Sequence, residues 1–246
     1  MVSEVYNMDC MEYMKSIPDK FFDLAVVDPP YGINAPNMTM GSNLNRKHGG
    51  YNSESTAQRI KKGRLNQGAG KLRNRALNTM QCDWDFYPPS EDYFRELERV
   101  SKNRIIWGGN YFQLPPTRGI LCWDKMQPWE NFSQFELAWT SFDCPAAIIH
   151  LSNTGGANKE IKIHPTQKPI ALYHWVLKKF AKQGDKILDT HLGSGSSRIA
   201  AYKMGFDFYA TEIDKDYFQA QEKRFKKECL GEIVTIKGVL VQKTLF

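Results

Sequence analysis

Apolar residues along this chain fall mostly into short runs closed by acids, prolines or glycines. Phe21 to Val27 ends in the continuous run Leu24-Ala25-Val26-Val27, which reads as a strand buried on both faces. Arg104-Ile105-Ile106-Trp107, Ile120 to Trp123, Lys186 to Asp189 and Phe208 to Thr211 have the same character. Val2 to Met8 is a short strand closed by Asp9-Cys10. Phe135 to Thr140 and Ala146 to His150 read as an antiparallel pair, and Ile233 to Val241 as a last strand. Between these runs the spacing turns helical. Met11 to Ile17 is followed by Pro18, and Ser90 is the expected N-cap of a helix reaching Val100 with Glu91 and Asp92 in its first turn. Ile170, Tyr173, Val176, Leu177 and Phe180 form an apolar stripe with Gly184 beyond it, and this stripe is core. A helix running to about Met204 and another from Tyr217 to Glu228, capped by Asp214, complete the set. Strands alternating with helices predict an α/β fold.

Residues 34–80 break the pattern. The stretch is rich in Asn, Gly, Ser, Lys and Arg and nearly lacks aliphatics. It holds Arg46, Lys47, Arg59, Lys61, Lys62, Arg64, Lys71, Arg73 and Arg75 against a single acid, Glu54. The local charge is +8 in a chain whose total is +6, so the remainder is slightly acidic. Such a segment suits a polyanion, each cation neutralising a phosphate and releasing a counterion. The plainer alternative is a solvated basic loop.

Composition narrows the classes. At 246 residues the chain is long enough for one large α/β domain, or one carrying an insertion. No apolar run reaches membrane-spanning length, and Glu4 and Asp9 interrupt any secretory signal at the start. Five scattered cysteines, with no Cys-x-x-Cys, argue for reduced thiols in a cytoplasm and against a zinc site.

Two motifs carry chemistry. Asp28-Pro29-Pro30-Tyr31 follows the apolar strand directly, at the strand end where an open α/β sheet binds ligands. The prolines fix two φ angles and remove two donors. Asp28 and the Pro29 carbonyl are then two fixed acceptors beside the flat face of Tyr31, a fit for a planar ring bearing an NH2 group. A rigid turn with a solvated aspartate is the competing reading. The second motif is Asp189 followed by Gly193-Ser194-Gly195, a helix, a strand and Glu212. Glycines let a backbone approach a ligand closely, and Glu212 lies near the spacing at which an acid meets ribose hydroxyls. No third glycine completes the dinucleotide fingerprint, so a nucleoside with an amino-acid tail suits it better than a pyrophosphate.

Together these residues resemble the S-adenosylmethionine-dependent amino-methyltransferases that act on DNA. Asp-Pro-Pro-Tyr stands about 160 residues before the glycines, and His164-Pro165-Thr166-Gln167-Lys168-Pro169 leads into the helix before the cofactor strand. That order resembles the beta group of N6-adenine DNA methyltransferases. The resemblance covers nearly the whole chain outside 34–80. It implies a Rossmann-like methyltransferase fold with a mostly parallel seven-stranded sheet flanked by helices, in permuted motif order. The implied organisation is a catalytic domain formed by 1–33 and 81–246, a basic, DNA-contacting, mobile insertion at 34–80, and a target-recognition region at 126–162, where Trp129, Asn131, Phe132 and Gln134 offer stacking and base-edge groups.

The resemblance also implies roles. Asp28, Pro29, Pro30 and Tyr31 match the catalytic motif. Asp189, Gly193 and Gly195 match the cofactor loop, Glu212 the ribose acid, and Asp9 the acid that meets the cofactor's adenine amine. Thr166 and Lys168 border its methionine end. No metal is implied. The implied reaction is methyl transfer from S-adenosylmethionine to the N6 amine of a flipped-out adenine in double-stranded DNA, in a bacterial or phage setting of restriction and modification. Asp before Pro-Pro is the form used mainly for adenine, and Ser is commoner for cytosine N4. Cytosine N4, an RNA amine and an inactive DNA-binding relative stay open as alternatives. His191 departs from the usual pattern, which has Phe there. The tail Gln242-Lys243-Thr244-Leu245-Phe246 resembles peptides that dock on sliding clamps, although a final strand packed on the sheet is the favoured reading, and a homodimer stays open.

Overall fold

The computed structural model describes residues 1–33, 85–127, 133–153, 160, 162–235 and 238–241. The basic segment 34–80, Trp129, Asn131, Phe132 and the tail from Gln242 to Phe246 lie outside the described residues. The strands are β1 (Ser3–Tyr6), β2 (Phe22–Val27), β3 (Ser101–Trp107), β4 (Ile120–Asp124), β5 (Phe135–Thr140), β6 (Ala147–His150), β7 (Lys186–Asp189), β8 (Asp207–Thr211), β9 (Glu232–Thr235) and β10 (Gly238–Val241). The helices are α1 (Cys10–Lys15), α2 (Glu91–Val100), α3 (Ile170–Phe180), α4 (Ser196–Lys203) and α5 (Lys215–Leu230), with a 3-10 turn at Gly109–Tyr111.

Eight strands form one sheet in the order β1-β8-β7-β2-β3-β5-β4-β6. The run from β1 to β3 is parallel throughout, and β5 is antiparallel to both its neighbours. This is the mostly parallel, helix-flanked sheet of a Rossmann-like fold. The sheet has one strand more than the seven implied by the resemblance.

Two strand assignments need correction. β5 and β6 do not pair with each other. Both edges of β5 are taken, by β3 and β4, so β6 joins the far edge of β4 and runs parallel to it. The final apolar run is not a single strand. It folds back on itself, Gly238 opposite Thr235, as a two-stranded antiparallel sheet apart from the main one.

The apolar run of β2 is buried on both faces, as its lack of alternation predicts. Leu24 and Val26 pack with Leu172, Val176 and Leu177 of α3 and Ala200 and Ala201 of α4. Ala25 and Val27 pack on the other side with Tyr13 and Met14 of α1 and Tyr93, Leu97 and Val100 of α2. β2 connects onward to β3 on one side, while β7 connects to β8 on the other, and β2 and β7 are neighbours through Leu24–Ile187 and Ala25–Leu188. The strand order therefore reverses between them. The crevice beyond their carboxyl ends is the switch point at which such sheets take ligands.

Candidate active site

Each of the two motifs begins where one of these adjacent strands stops. Asp28 follows β2, and Asp189 is the last residue of β7. A cavity of about 390 Å³ joins them, lined by Asp9, Asp28, Pro30, Thr166, Lys168, Gly193 and Glu212 among others. Pro29 is buried. The sequence places Asp28 and Glu212 184 positions apart, and the parallel pairing of β2 with β7 brings their strand ends to one hollow.

At the Asp28 end the charges are crowded. Tyr31 donates its hydroxyl to Asp28 Oδ1 at 2.6 Å, and Lys168 Nζ reaches Asp28 Oδ2 at 2.5 Å and the Tyr31 hydroxyl at 3.1 Å. Lys168 also lies 3.0 Å from Glu136 Oε2, and Lys125 lies 2.5 Å from Glu136 Oε1. Burial raises the Asp28 carboxyl above the ordinary range; Lys168 pulls against that and Glu136 adds to it. Glu136 is just as enclosed, but Lys168 and Lys125 together outweigh its burial and hold it at about 2. Burial lowers Lys168, yet Asp28 and Glu136 outweigh it and raise its pKa overall. Lys168 is thus an ion-pair partner of the motif aspartate. Its expected place at the methionine end of a cofactor did not anticipate this contact.

Tyr31 does not present an open face. Its ring stacks on Tyr111 at 4.9 Å between centroids and 13°, with Phe112 edge-on. Gly108, at φ +71°, lies so near that a Cβ there would stand 2.2 Å from Tyr31 Cε1. A base stacking on the Tyr111 side must displace that ring. Asp85 holds the loop from behind, accepting from the backbone N–H of Tyr31 at 2.6 Å and of Gly32 at 3.0 Å.

At the other end the carboxylates meet neutral donors. Asp189 accepts from the Ser197 hydroxyl at 2.5 Å and the His191 N–H at 3.1 Å. Burial nonetheless lifts it to about 7. Glu212 accepts from the N–H of Gly193 at 2.7 Å and of Asp214 at 2.9 Å, and burial lifts it also to about 7. Gly193 and Gly195 adopt φ +52° and +75°, a region that L side chains enter at a cost of about 1–2 kcal/mol. Arg224 fixes this loop by donating to Ser194 O and Ser196 Oγ, both at 2.8 Å, and bonds Glu160 at 2.7 Å. Glu160 in turn accepts from the N–H of Ile170, tying the loop to the start of α3.

Asp9 caps α1 through the N–H groups of Met11 and Glu12 and still faces the cavity. Thr166 lines it beside His164. His191 is kept neutral by burial, down to about 4, with Nδ1 2.9 Å from Thr190 Oγ1 and its ring edge-on to Tyr93. It serves as an uncharged aromatic wall. Cys10 also faces the cavity, but burial lifts its thiol to about 12, so it is no nucleophile at neutral pH.

Sequence reasoning missed Glu136, Lys125, Tyr111 and Asp85. Glu136 carried one signal, an acid inside the otherwise apolar strand Phe135-Glu136-Leu137-Ala138-Trp139. Nothing in the spacing connects it to Lys168.

Comparison with known proteins fits this geometry. Residues 121–223 match the family model for N6/N4 DNA methylases. That match covers 103 of the 246 residues, so the chain is similar to N6/N4 DNA methylases over that stretch. Among the proteins similar to this chain is the type II methyltransferase M.BglII from Bacillus subtilis. It is 24% identical over 249 residues, covering 88% of this chain and 67% of that protein. Another is M2.DpnII from Streptococcus pneumoniae, 34% identical over 128 residues, where the match covers 52% of this chain and 43% of the relative. Against the latter, the chain spans less than half of the relative's length. Two solved structures share the fold of this chain. The M1.HpyAVI–SAM complex has a TM-score of 0.51 at 18% identity, covering 91% of this chain and 100% of that one. The cytosine-N4-specific PvuII DNA methyltransferase has a TM-score of 0.54 at 15% identity, covering 92% and 86%. Among the described residues, no helix is long and apolar enough to cross a membrane. No cluster of ligating side chains that could hold a metal occurs among them either.

Proposed function

We propose that the chain transfers a methyl group from S-adenosylmethionine to the exocyclic N6 amine of an adenine in DNA. One observation carries the reading: a single cavity has Asp28 at one end and Gly193 with Glu212 at the other. The residues fit the donor. Glu212 and Gly193 suit ribose hydroxyls, and Asp9 a base amine. Bound there, S-adenosylmethionine supplies an electrophilic methyl on a sulfonium.

The chain's own part is orientation. Asp28 and the Pro29 carbonyl accept the two amine hydrogens, turning the nitrogen lone pair out of conjugation with the ring. Fixed dipoles and placement supply most of the rate, and Asp28 then takes the released proton. A duplex hides the amine, so the base must leave the stack, at a cost of a few kcal/mol. The basic residues of 34–80 and the region 126–162 contact the DNA and choose the site.

Adenine is favoured over cytosine by aspartate rather than serine at position 28. The fold is shared with a cytosine-N4 enzyme, so the test must separate the two bases. The purified chain and methyl-labelled cofactor are incubated with unmethylated DNA and, in parallel, with RNA, and each nucleic acid is digested to nucleosides for mass spectrometry. N6-methyladenine is expected. N4-methylcytosine instead would overturn the base assignment, label confined to RNA the polymer assignment, and no label at all the enzyme reading.

A further inference from the structure

Both oxygens of Asp28 already hold hydrogen-bond donors, Tyr31 on one and Lys168 on the other. Lys168 is 3% exposed and has a second anion in reach, Glu136, which Lys125 grips from its far side. An ammonium between two carboxylates, one of them the motif aspartate, is more than a packing element. Its Nζ also stands 5.5 Å from the Tyr31 ring centroid and 3.1 Å from the Tyr31 hydroxyl. That is the neighbourhood in which an amine donating to Asp28 must arrive.

We propose that Lys168 and Glu136 are positioning residues for the methyl-transfer step: the Lys168 ammonium keeps Asp28 ionised and aimed, then shifts its weight onto Glu136 when the target amine takes over the Asp28 oxygen. This deepens the reading of Asp28 as the acceptor of the amine hydrogens and rests on it. A neutral Asp28 could accept less well and would present a proton where it must receive one. A buried carboxyl with no cation beside it reprotonates. Lys168 works against that. Glu136, held ionised by two lysines, gives the ammonium somewhere to go without crossing an apolar wall.

The charges facing Asp28 are few. Tyr31 lies in its own loop, Glu136 on β5, Lys168 ahead of α3, Tyr173 on α3, Tyr93 on α2 and Asp189 on β7, with Lys125 behind Glu136. Only Lys168 is a cation in direct contact with Asp28 among the described residues. The two variants should therefore act in opposite directions.

The test uses full-length protein labelled with ¹³C-carboxyl aspartate, with the Asp28 signal identified by its loss in Asp28→Asn. Lys168→Met should move the Asp28 titration upward by about 1–3 pH units. Glu136→Gln should move it downward, and Lys168→Arg should leave it near wild type. Single-turnover methyl transfer should show the acid limb of its pH profile moving the same way in each variant. An unmoved titration in Lys168→Met, or an upward shift in Glu136→Gln, overturns the inference even where wild type labels DNA normally. If Lys168→Met does not fold, Glu136→Gln and Lys168→Arg still decide, because a structural role predicts no downward shift. Wild-type protein that labels no DNA removes the underlying reading instead, a result distinct from any titration.

Discussion

The two ends of the cavity surround their carboxylates with different partners. Around Asp28 the protein supplies its own cations, Lys168 and Lys125, and Glu136 falls to about 2. Around Gly193 it supplies hydroxyls and backbone N–H groups, and Asp189 and Glu212 rise to about 7. Neutral donors offset less of the desolvation than full charges do: two lysines bring Glu136 below its usual range, while Asp28, with one, stays above it. One end is electrostatically complete. The other awaits positive charge and hydroxyl donors from outside, which suits a site for a cationic nucleoside.

The hardest test of this contrast is Asp28→Ala. Methyl transfer should fall by about a thousandfold or more, while cofactor affinity stays within about threefold. Calorimetry beside a label-transfer assay checks both, and joint loss would mean that the two ends are not separable.

Next in size is a pH effect at the other end. A ligand that donates to Glu212 and adds positive charge near Asp189 favours their ionised forms, and both titrate at about 7. Cofactor binding should therefore tighten from pH 6 to pH 8, by about tenfold for each carboxyl that must ionise. Glu212→Gln should remove about one such factor. The stability of the unliganded protein should run the other way. In the unfolded chain these groups lose their protons near pH 4, in the folded chain near 7, so between those values the fold holds more protons. Stability contributed by these two groups is then present at low pH and lost as pH rises through about 7. Melting curves at pH 5 and pH 8 check the sign, and a cofactor affinity flat across pH would break the contrast.

Gly108→Ala should be smaller and confined to the Asp28 end. The added methyl meets the Tyr31 ring, and φ at +71° strains any L residue. We expect a loss of about 1–3 kcal/mol in stability and slower methyl transfer at nearly unchanged cofactor affinity, read by chemical denaturation and label transfer. Ser197→Ala should be smallest, about 1 kcal/mol, with weakened cofactor binding and no change at Asp28. An effect on Asp28 of similar size would show the two ends to be coupled.

How far the chain could be read in advance depends on whether the cause was local. The apolar run at 24–27, the Asp214 cap and the glycines at 193 and 195 announce themselves because neighbouring residues dictate them. Helix α3 follows from its stripe, though it stops at Phe180 and Gly184 belongs to the next turn. Pairing of β6 with β4 was not legible, because it depends on β5 having spent both edges elsewhere. Glu136 and Tyr111 escaped for the same reason. Each acts on the Asp28 loop from a strand or turn more than 75 positions away, and no spacing rule reaches that far. The motif residues were found by type and order, while the charges that tune them came only with the fold.

Asp85 has a consequence for how such a chain can diversify. By holding the N–H groups of Tyr31 and Gly32, it closes the roots of the stretch that runs between Ile33 and Asp85. Once a loop's roots are clamped, lengthening it is cheap, about 0.6 kcal/mol for each doubling. New reading heads could be spliced in at that point, in different sizes and charges, and the engine beneath them would keep its timing.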